Sequence, residues 1–195
     1  SSTDPSGGVF YPDYFGKNFV LNDLTHDGGL TAIRIEGPIN SVDQRLNRLS
    51  KELSLLDQEL SILDNEQSNI FWSRTKNLEV FKSLKSNLLR IVLPMSETLQ
   101  VIQKLKNFEI KYFIDWGGGL IWASFDQLNT KILSEIKDTV KKHQGYITLI
   151  KVEEDLKASA DIFTIDPIKY KISEKIKRSF DPKRIFNPGK MYTGI

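Results

Sequence analysis

The sequence predicts an α+β fold: an antiparallel sheet with helices packed on one face. Three observations carry that expectation. Short apolar runs and amphipathic helical periods alternate between residues 87 and 152 in the order β-α-β-β-α-β. A leucine-rich period of three and four begins at Ile39. An Asp166-Pro167 pair opens one more helix after the last strand.

The opening "SSTDPSGGVFYPDYFGKNF" has no basic stretch followed by an apolar one, so it does not read as a signal peptide. Residues 1–20 read as a vector-derived remnant or linker, the first eight as a disordered lead, and residues 21–195 as one domain. "NFVLND", "HDGG" and "LTAIRIEG" read as a hairpin around an Asp-Gly turn. Leu30, Ala32, Ile33 and Ile35 do not alternate cleanly, which leaves its inward face open. Ile39, Val42, Leu46, Leu49, Leu53, Leu56, Leu60 and Leu63 then form a heptad seam. The seam fits a coiled-coil dimer, or an amphipathic helix packed on its own sheet. Asp64 and Gln67 make a capping box, so a new helix should start there and the seam should break into a loop and short strand.

The next part supplies the β-α-β-β-α-β unit, the split βαβ of ferredoxin-like folds. "NLLRIVLP" is a strand closed by Pro94, and "SETLQVIQKLKN" a helix capped by Ser96. "EIKYFIDW" and "LIWASF" are strands joined by the glycines. "QLNTKILSEIKDTVKKH" is a helix whose Leu128, Ile132, Ile136 and Val140 face inward, with basic residues and Gly145 at its C-terminus. "GYITLIKV" closes the set. The last helix should bury Ile168, Ile172, Ile176 and Phe180, and stop at Asp181-Pro182.

Composition narrows function mainly by exclusion. The 195 residues are 39% hydrophobic and 27% charged, enough for one buried core or two small ones. There is no cysteine, hence no disulfide, thiolate metal site or cysteine nucleophile. No apolar run is long enough to span a membrane. The net charge of +2 is too small to argue for nucleic acid. From Ile165 onward, however, eight Lys/Arg face three Asp/Glu: +5 there and −3 for the rest. That surplus fits a solvated helix face or an anion or partner surface.

Few residues invite chemistry. The two histidines, His26 in the Asp-Gly turn and His143 at a helix C-terminus, are far apart in sequence, and no metal site suggests itself. No pair of carboxylates is marked out for acid-base work. "DWGGGLIW" joins two strands, whereas a phosphate-cradling loop leads from a strand into a helix, so it reads as a hairpin turn. Trp116 and Trp122 still set flat surfaces beside bare backbone, as a flavin or a partner edge requires. Arg90, in mid-strand, is exposed on one sheet face or binds a carboxylate through its fork. At the end, Pro188 fixes one dihedral, Gly189 permits a reversal and Asn187 can close an Asx turn. The result is a rigid loop delivering Asn187 and Lys190 to a fixed place, or a clasp anchored by Phe186 and Met191.

This ending, Phe180-Asp181-Pro182 followed by Ile185-Phe186-Asn187-Pro188-Gly189-Lys190-Met191-Tyr192, resembles the closing pattern of the FAD-binding E subunits of bacterial glycolate oxidase. Those belong to the FAD-linked oxidases of the vanillyl-alcohol oxidase superfamily. "RIEG", Phe71-Trp72, "LLRIVLP" and "IDWGG" match in family order, so the resemblance covers residues 30 to 193 or so. It departs at Leu120-Ile121-Trp122, where the family shows a polar-Arg pair before the tryptophan. Lys190 stands for a frequent arginine, keeping the charge and losing the fork.

The resemblance implies the C-terminal cap domain of a flavoprotein subunit, with the N-terminal FAD-binding domain absent from this chain. The parent reaction would oxidise a small 2-hydroxy acid such as glycolate to the 2-oxo acid, passing hydride to FAD. Asn187, Gly189, Lys190, Trp116 and Gly117 would lie at the flavin or the domain junction, and Arg90 would meet substrate or a partner. The family places the substrate site on its D subunit, so no catalytic residue is assigned here. Partners would be the FAD-binding domain, the flavin D subunit and the iron-sulfur F subunit, in the cytoplasm or peripheral to the inner membrane through the complex. This chain alone should not retain FAD and should be inactive. The alternative is a non-catalytic ferredoxin-like interaction module using the leucine seam.

Overall fold

The computed structural model describes residues 3–15, 28–56, 60–84, 86–164, 166–190 and 192. In chain order they form β1 (Gly7–Tyr11), β2 (Leu30–Arg34), α1 (Ile39–Ser54), α2 (Asn65–Lys76), β3 (Asn87–Val92), α3 (Thr98–Leu105), β4 (Lys111–Asp115), β5 (Leu120–Phe125), α4 (Thr130–Lys142), β6 (Tyr146–Lys151), α5 (Glu154–Ser159) and α6 (Pro167–Phe180). The fold is α+β. Its antiparallel sheet has the strand order β2-β1-β4-β5-β3-β6. The β4-β5-β3-β6 portion, with α3 and α4 as its two crossovers, is the expected ferredoxin-like arrangement. The chain divides into two compact units, Ser1–Leu84 with Phe113–Gly118, and Lys85–Tyr112 with Gly119–Ile195.

In the first unit β2 pairs antiparallel with β1, from Gly7 opposite Arg34 to Tyr11 opposite Leu30. The segment expected to be a remnant thus supplies a strand. Arg45 explains part of this, because its guanidinium donates to the carbonyls of Thr3, Asp4 and Glu36 and ties the N-terminal turn to the end of β2. The "NFVLND" strand and His26 lie outside the described residues.

α1 buries Leu49 and half-buries Val42, Leu46 and Leu53, then ends at Ser54 with Leu55 and Leu56 exposed. The heptad seam is therefore cut before its last two turns, and the expected short strand does not form among the described residues of that stretch. α2 restarts as its capping box requires: Asp64 Oδ1 accepts from the Gln67 amide at 2.8 Å, and Gln67 Oε1 accepts from the Asp64 amide at 3.1 Å. Aromatic rings fill the core. Tyr11 lies 4.8 Å from Phe113 and 6.2 Å from Phe71, centroid to centroid, and Phe81 stacks on Phe113 at 5.6 Å. The Tyr11 hydroxyl donates to Thr75 Oγ1 at 3.0 Å, and Thr75 donates to the Phe71 carbonyl. Burial pushes the Tyr11 phenol well above its usual range, against the Thr75 bond that lowers it.

In the second unit β3 runs between β5 and β6, antiparallel to both. Leu89 and Ile91 share one face with Ile121, Ala123, Ile147 and Leu149, all buried. The helical layer contributes buried Val101, Ile102 and Leu105 from α3 and Leu133, Ile136 and Val140 from α4. Ser96 caps nothing; a 3₁₀ turn at Met95–Glu97 precedes α3 instead. At the start of α4, Asn129 accepts from the Ile132 amide at 2.9 Å. Its C-terminus is a Schellman turn in which the Gln144 amide reaches Lys141 and the Gly145 amide reaches Val140. The left-handed residue there is Gln144, with φ 58°. Gly145 serves packing: a Cβ would lie 2.7 Å from Val140 Cγ1 and 2.8 Å from the Val92 carbonyl.

Asp166 and Pro167 start α6 as expected, the Asp166 carboxylate accepting from the amides of Ile168 and Lys169. Its apolar row is not buried. Ile168, Ile172, Ile176 and Phe180 are exposed, and the half-buried positions are Tyr170, Ser173, Glu174 and Lys177 on the other side. Periodicity identifies an apolar side; it does not say that the same unit covers it.

Candidate functional site

The C-terminal turn is built by one carboxylate. Asp181 is nearly buried, and its two oxygens accept from the amides of Ile185 and Phe186, each at 2.9 Å. Lys177, one turn back on α6, places its ammonium 2.7 Å from Asp181 Oδ2 and donates to the Phe186 carbonyl. This ammonium, assisted by the two amides, holds the Asp181 carboxyl down at about 2. The chain reverses through left-handed Arg184 (φ 52°), Asn187 (φ 46°) and Gly189 (φ 68°). The Asx-type acceptor expected at Asn187 is therefore Asp181, and Asn187 contributes its backbone conformation. Its carbonyl accepts from the Lys190 amide at 3.3 Å.

Phe186 does not anchor the loop. It is exposed with Ile185, while Met191 lies outside the described residues. Tyr192 is the anchoring ring, with centroids 6.0 Å from Phe163 and 6.1 Å from Tyr170. The outcome is a latched hook in which Asn187, Gly189 and Lys190 are all exposed.

Trp116 and Gly117 sit in a 3₁₀ turn at Trp116–Gly118 between β4 and β5, as the hairpin reading required. Three consecutive residues are left-handed: Trp116 at φ 53°, Gly117 at 59° and Gly118 at 117°. Asp115 Oδ1 accepts from the Trp116 amide at 2.7 Å and supports this strained start. The turn lies on β1, where a Cβ on Gly8 would be 3.3 Å from the Gly117 backbone. Trp116 is 57% exposed, and nothing lies within 4 Å of a Cβ built on Gly117.

Trp116 offers an exposed flat ring beside bare backbone, and Lys190 an exposed cation. They fall in different units, the tryptophan turn in the first and the hook in the second. The glycines run from strand to strand, so this stretch does not fit the pyrophosphate of a dinucleotide.

Arg90, in the second unit, is half-buried on β3, opposite Trp122 on β5 and Thr148 on β6, on the face away from Leu89 and Ile91. His143 does more than relieve a helix dipole. Its Nδ1 lies 2.6 Å from Glu97 Oε2 and its Nε2 lies 2.8 Å from Lys104 Nζ, joining both ends of α3 to the end of α4. Nδ1 donates to the carboxylate, and Nε2 accepts from the ammonium when the ring is neutral. Burial lowers the Lys137 ammonium against the nearby Asp161.

Asp181, Lys177 and Tyr192 are the site residues that sequence reasoning missed. Asp181 preceding Pro182 and lying four residues from Ile185 was the available signal. Among the described residues no helix is long and apolar enough to cross a membrane. The chain matches no protein-family model and no curated protein.

Proposed function

We propose that the chain is the C-terminal domain of a flavoprotein subunit of a glycolate-oxidase type, cytoplasmic or peripheral to a membrane through its complex. In this reading it supports FAD and subunit contacts during oxidation of a small 2-hydroxy acid to the 2-oxo acid. The observation that carries the proposal is the latched hook. Asp181 and Lys177 hold a reversal that leaves Asn187, Gly189 and Lys190 at fixed, exposed positions. Ordering each backbone residue of the hook costs about 1–2 kcal/mol in entropy, which a contact made by the hook would offset.

Bound FAD would accept the hydride; this chain's residues would orient and neutralise. Lys190 offers a mobile cation to an anionic group, and the left-handed Asn187 and Gly189 let backbone approach it closely. Trp116 offers a flat apolar surface for a ring. No residue here is assigned to proton transfer, so the chain by itself is expected to be inactive.

The test is the subunit carrying both halves. Lys190→Ala should weaken FAD binding severalfold or shift the flavin potential, with the folded fraction unchanged. Unaltered binding and potential would refute the functional reading of the hook. A second reading, a non-catalytic interaction module, is favoured by the exposed Leu55 and Leu56 after α1. Its coiled-coil form requires self-association, which sedimentation measures directly; a monomer removes that form.

A further inference from the structure

The junction of α3 with α4 holds three side chains in the order acid, base, amine. Glu97 ends the 3₁₀ turn before α3, Lys104 lies in the last turn of α3, and His143 caps the C-terminus of α4. Residues 97 and 104 are close to two helical turns apart, about 10 Å along the axis, which sets both side chains on one side of α3. The imidazole stands between them, with Nδ1 2.6 Å from Glu97 Oε2 and Nε2 2.8 Å from Lys104 Nζ.

The carboxylate sets the tautomer. An ionised Glu97 only accepts, so Nδ1 carries the proton and Nε2 turns its lone pair toward Lys104. The His143 side chain is 11% exposed and that of Glu97 29%, so the acid and the base are held in place. Lys104 is exposed, as are Lys141 and Lys142, the neighbours of the ring on α4. A base oriented by a third group, and itself within hydrogen-bond reach of a nucleophilic atom, is the arrangement that activates side-chain nucleophiles.

From this geometry we propose that Lys104 is a site of covalent acylation by small acyl thioesters, with His143 as proton acceptor and Glu97 as the residue that positions it. Lys104 reacts as the free amine, formed by loss of one ammonium proton to solvent. One N–H then still donates to Nε2, and the nitrogen lone pair attacks the thioester carbonyl, whose π electrons move onto its oxygen. His143 Nε2 takes a proton from the nitrogen, made cationic by the new N–C bond. The oxyanion collapses, the C–S bond breaks, and the imidazolium returns that proton to the departing thiolate. The products are an amide and a thiol. A thioester suits the site because its leaving group accepts the proton that the ring has just received. The acylated nitrogen keeps one N–H for Nε2 and loses its charge, so the α3–α4 junction persists with one cation fewer. The site is independent of the hook and of the function proposed above.

The experiment treats the folded chain with S-acetyl-N-acetylcysteamine and follows each lysine by peptide mass spectrometry. Lys131 and Lys171, both exposed and outside the cluster, serve as internal references. Lys104 should acylate about tenfold faster than either, a modest share of what general base catalysis supplies. His143→Gln should bring Lys104 down to the reference rate, and Glu97→Gln should slow it severalfold, with Lys131 and Lys171 unchanged in both. The ratio of the Lys104 rate to the reference rate should also fall as the ring is protonated, because an imidazolium cannot accept. In His143→Gln that ratio should not vary with pH, which a purely structural role for the ring does not predict. Far-UV circular dichroism checks that each variant is folded, and Glu97→Gln alone decides the matter where His143→Gln is not. A wild-type Lys104 at the reference rate overturns the proposal. So does a fast Lys104 in folded His143→Gln, or one undiminished in Glu97→Gln.

Discussion

Asp181 illustrates how much of the C-terminal architecture one side chain sustains. Its folded-state carboxyl titrates at about 2, chiefly through the Lys177 ammonium, whereas an unfolded aspartate titrates near about 3.9. The folded value is the lower one, so the latch stabilises the hook fully above the unfolded value and loses that contribution as pH falls toward 2. The Ile185 and Phe186 amide resonances should therefore move together with a midpoint near 2. A midpoint at the ordinary carboxyl value would mean the latch is not formed in solution. Asp181→Ala should speed hydrogen exchange at both amides by about tenfold or more, since it removes a buried charged acceptor. Tyr11 plays a comparable part in the first unit, where its hydroxyl meets Thr75 in an aromatic core. Tyr11→Phe should cost about 1 kcal/mol and lower the denaturant midpoint without changing the slope.

At the scale of elements, the local signals with a short-range mechanism were legible in the sequence. Asp64 with Gln67, and Asp166 with Pro167, set helix starts because their hydrogen bonds close within three residues. Where a partner is distant in sequence, the reading was incomplete. In the row through Leu128, Ile132, Ile136 and Val140, three residues are buried as expected, but Ile132 is only half-buried and Leu133 joins the core instead. Four residues turn about 40° past a full helical turn, so a strict i+4 row drifts off the core face. Residues 1–8 read as a lead and the following ones as linker because a strand of five with two glycines carries little pattern; its partner β2 and the Arg45 clamp define it. The exposed row on α6 shows the same limit, since periodicity names a face and not its cover. Gly145 shows it for packing. Gly145→Ala should destabilise the second unit by about 1–3 kcal/mol, because its Cβ would press on Val140 and the Val92 carbonyl. Thermal unfolding measures this, and a neutral result would mean the turn relaxes freely.

Over the whole molecule, the candidate site was half legible. The reversal at Gly189 and the tight turn at Gly117 follow from residue type, and both are left-handed; Asn187, expected to close an Asx turn, contributes a left-handed backbone instead. The Asp181 carboxylate that fixes the hook was not read, because its role depends on Lys177 swinging back from α6 and on amides that only the folded turn presents. The same backbone sets an expectation for the chain in isolation. Dinucleotide cofactors are held largely through their pyrophosphate, which needs amides converging at a strand-to-helix glycine loop. Gly117–Gly119 instead joins β4 to β5 through a 3₁₀ turn, with strand on both sides. Trp116 and Lys190 provide a surface and a charge without that cradle. The purified chain should therefore show no flavin absorption band, and added FAD should bind with at most millimolar affinity by fluorescence quenching. A stoichiometric band at purification would mean that the Trp116 turn or the hook supplies a complete cofactor site, and would shift the proposed role of this chain from supporting a flavin to holding one.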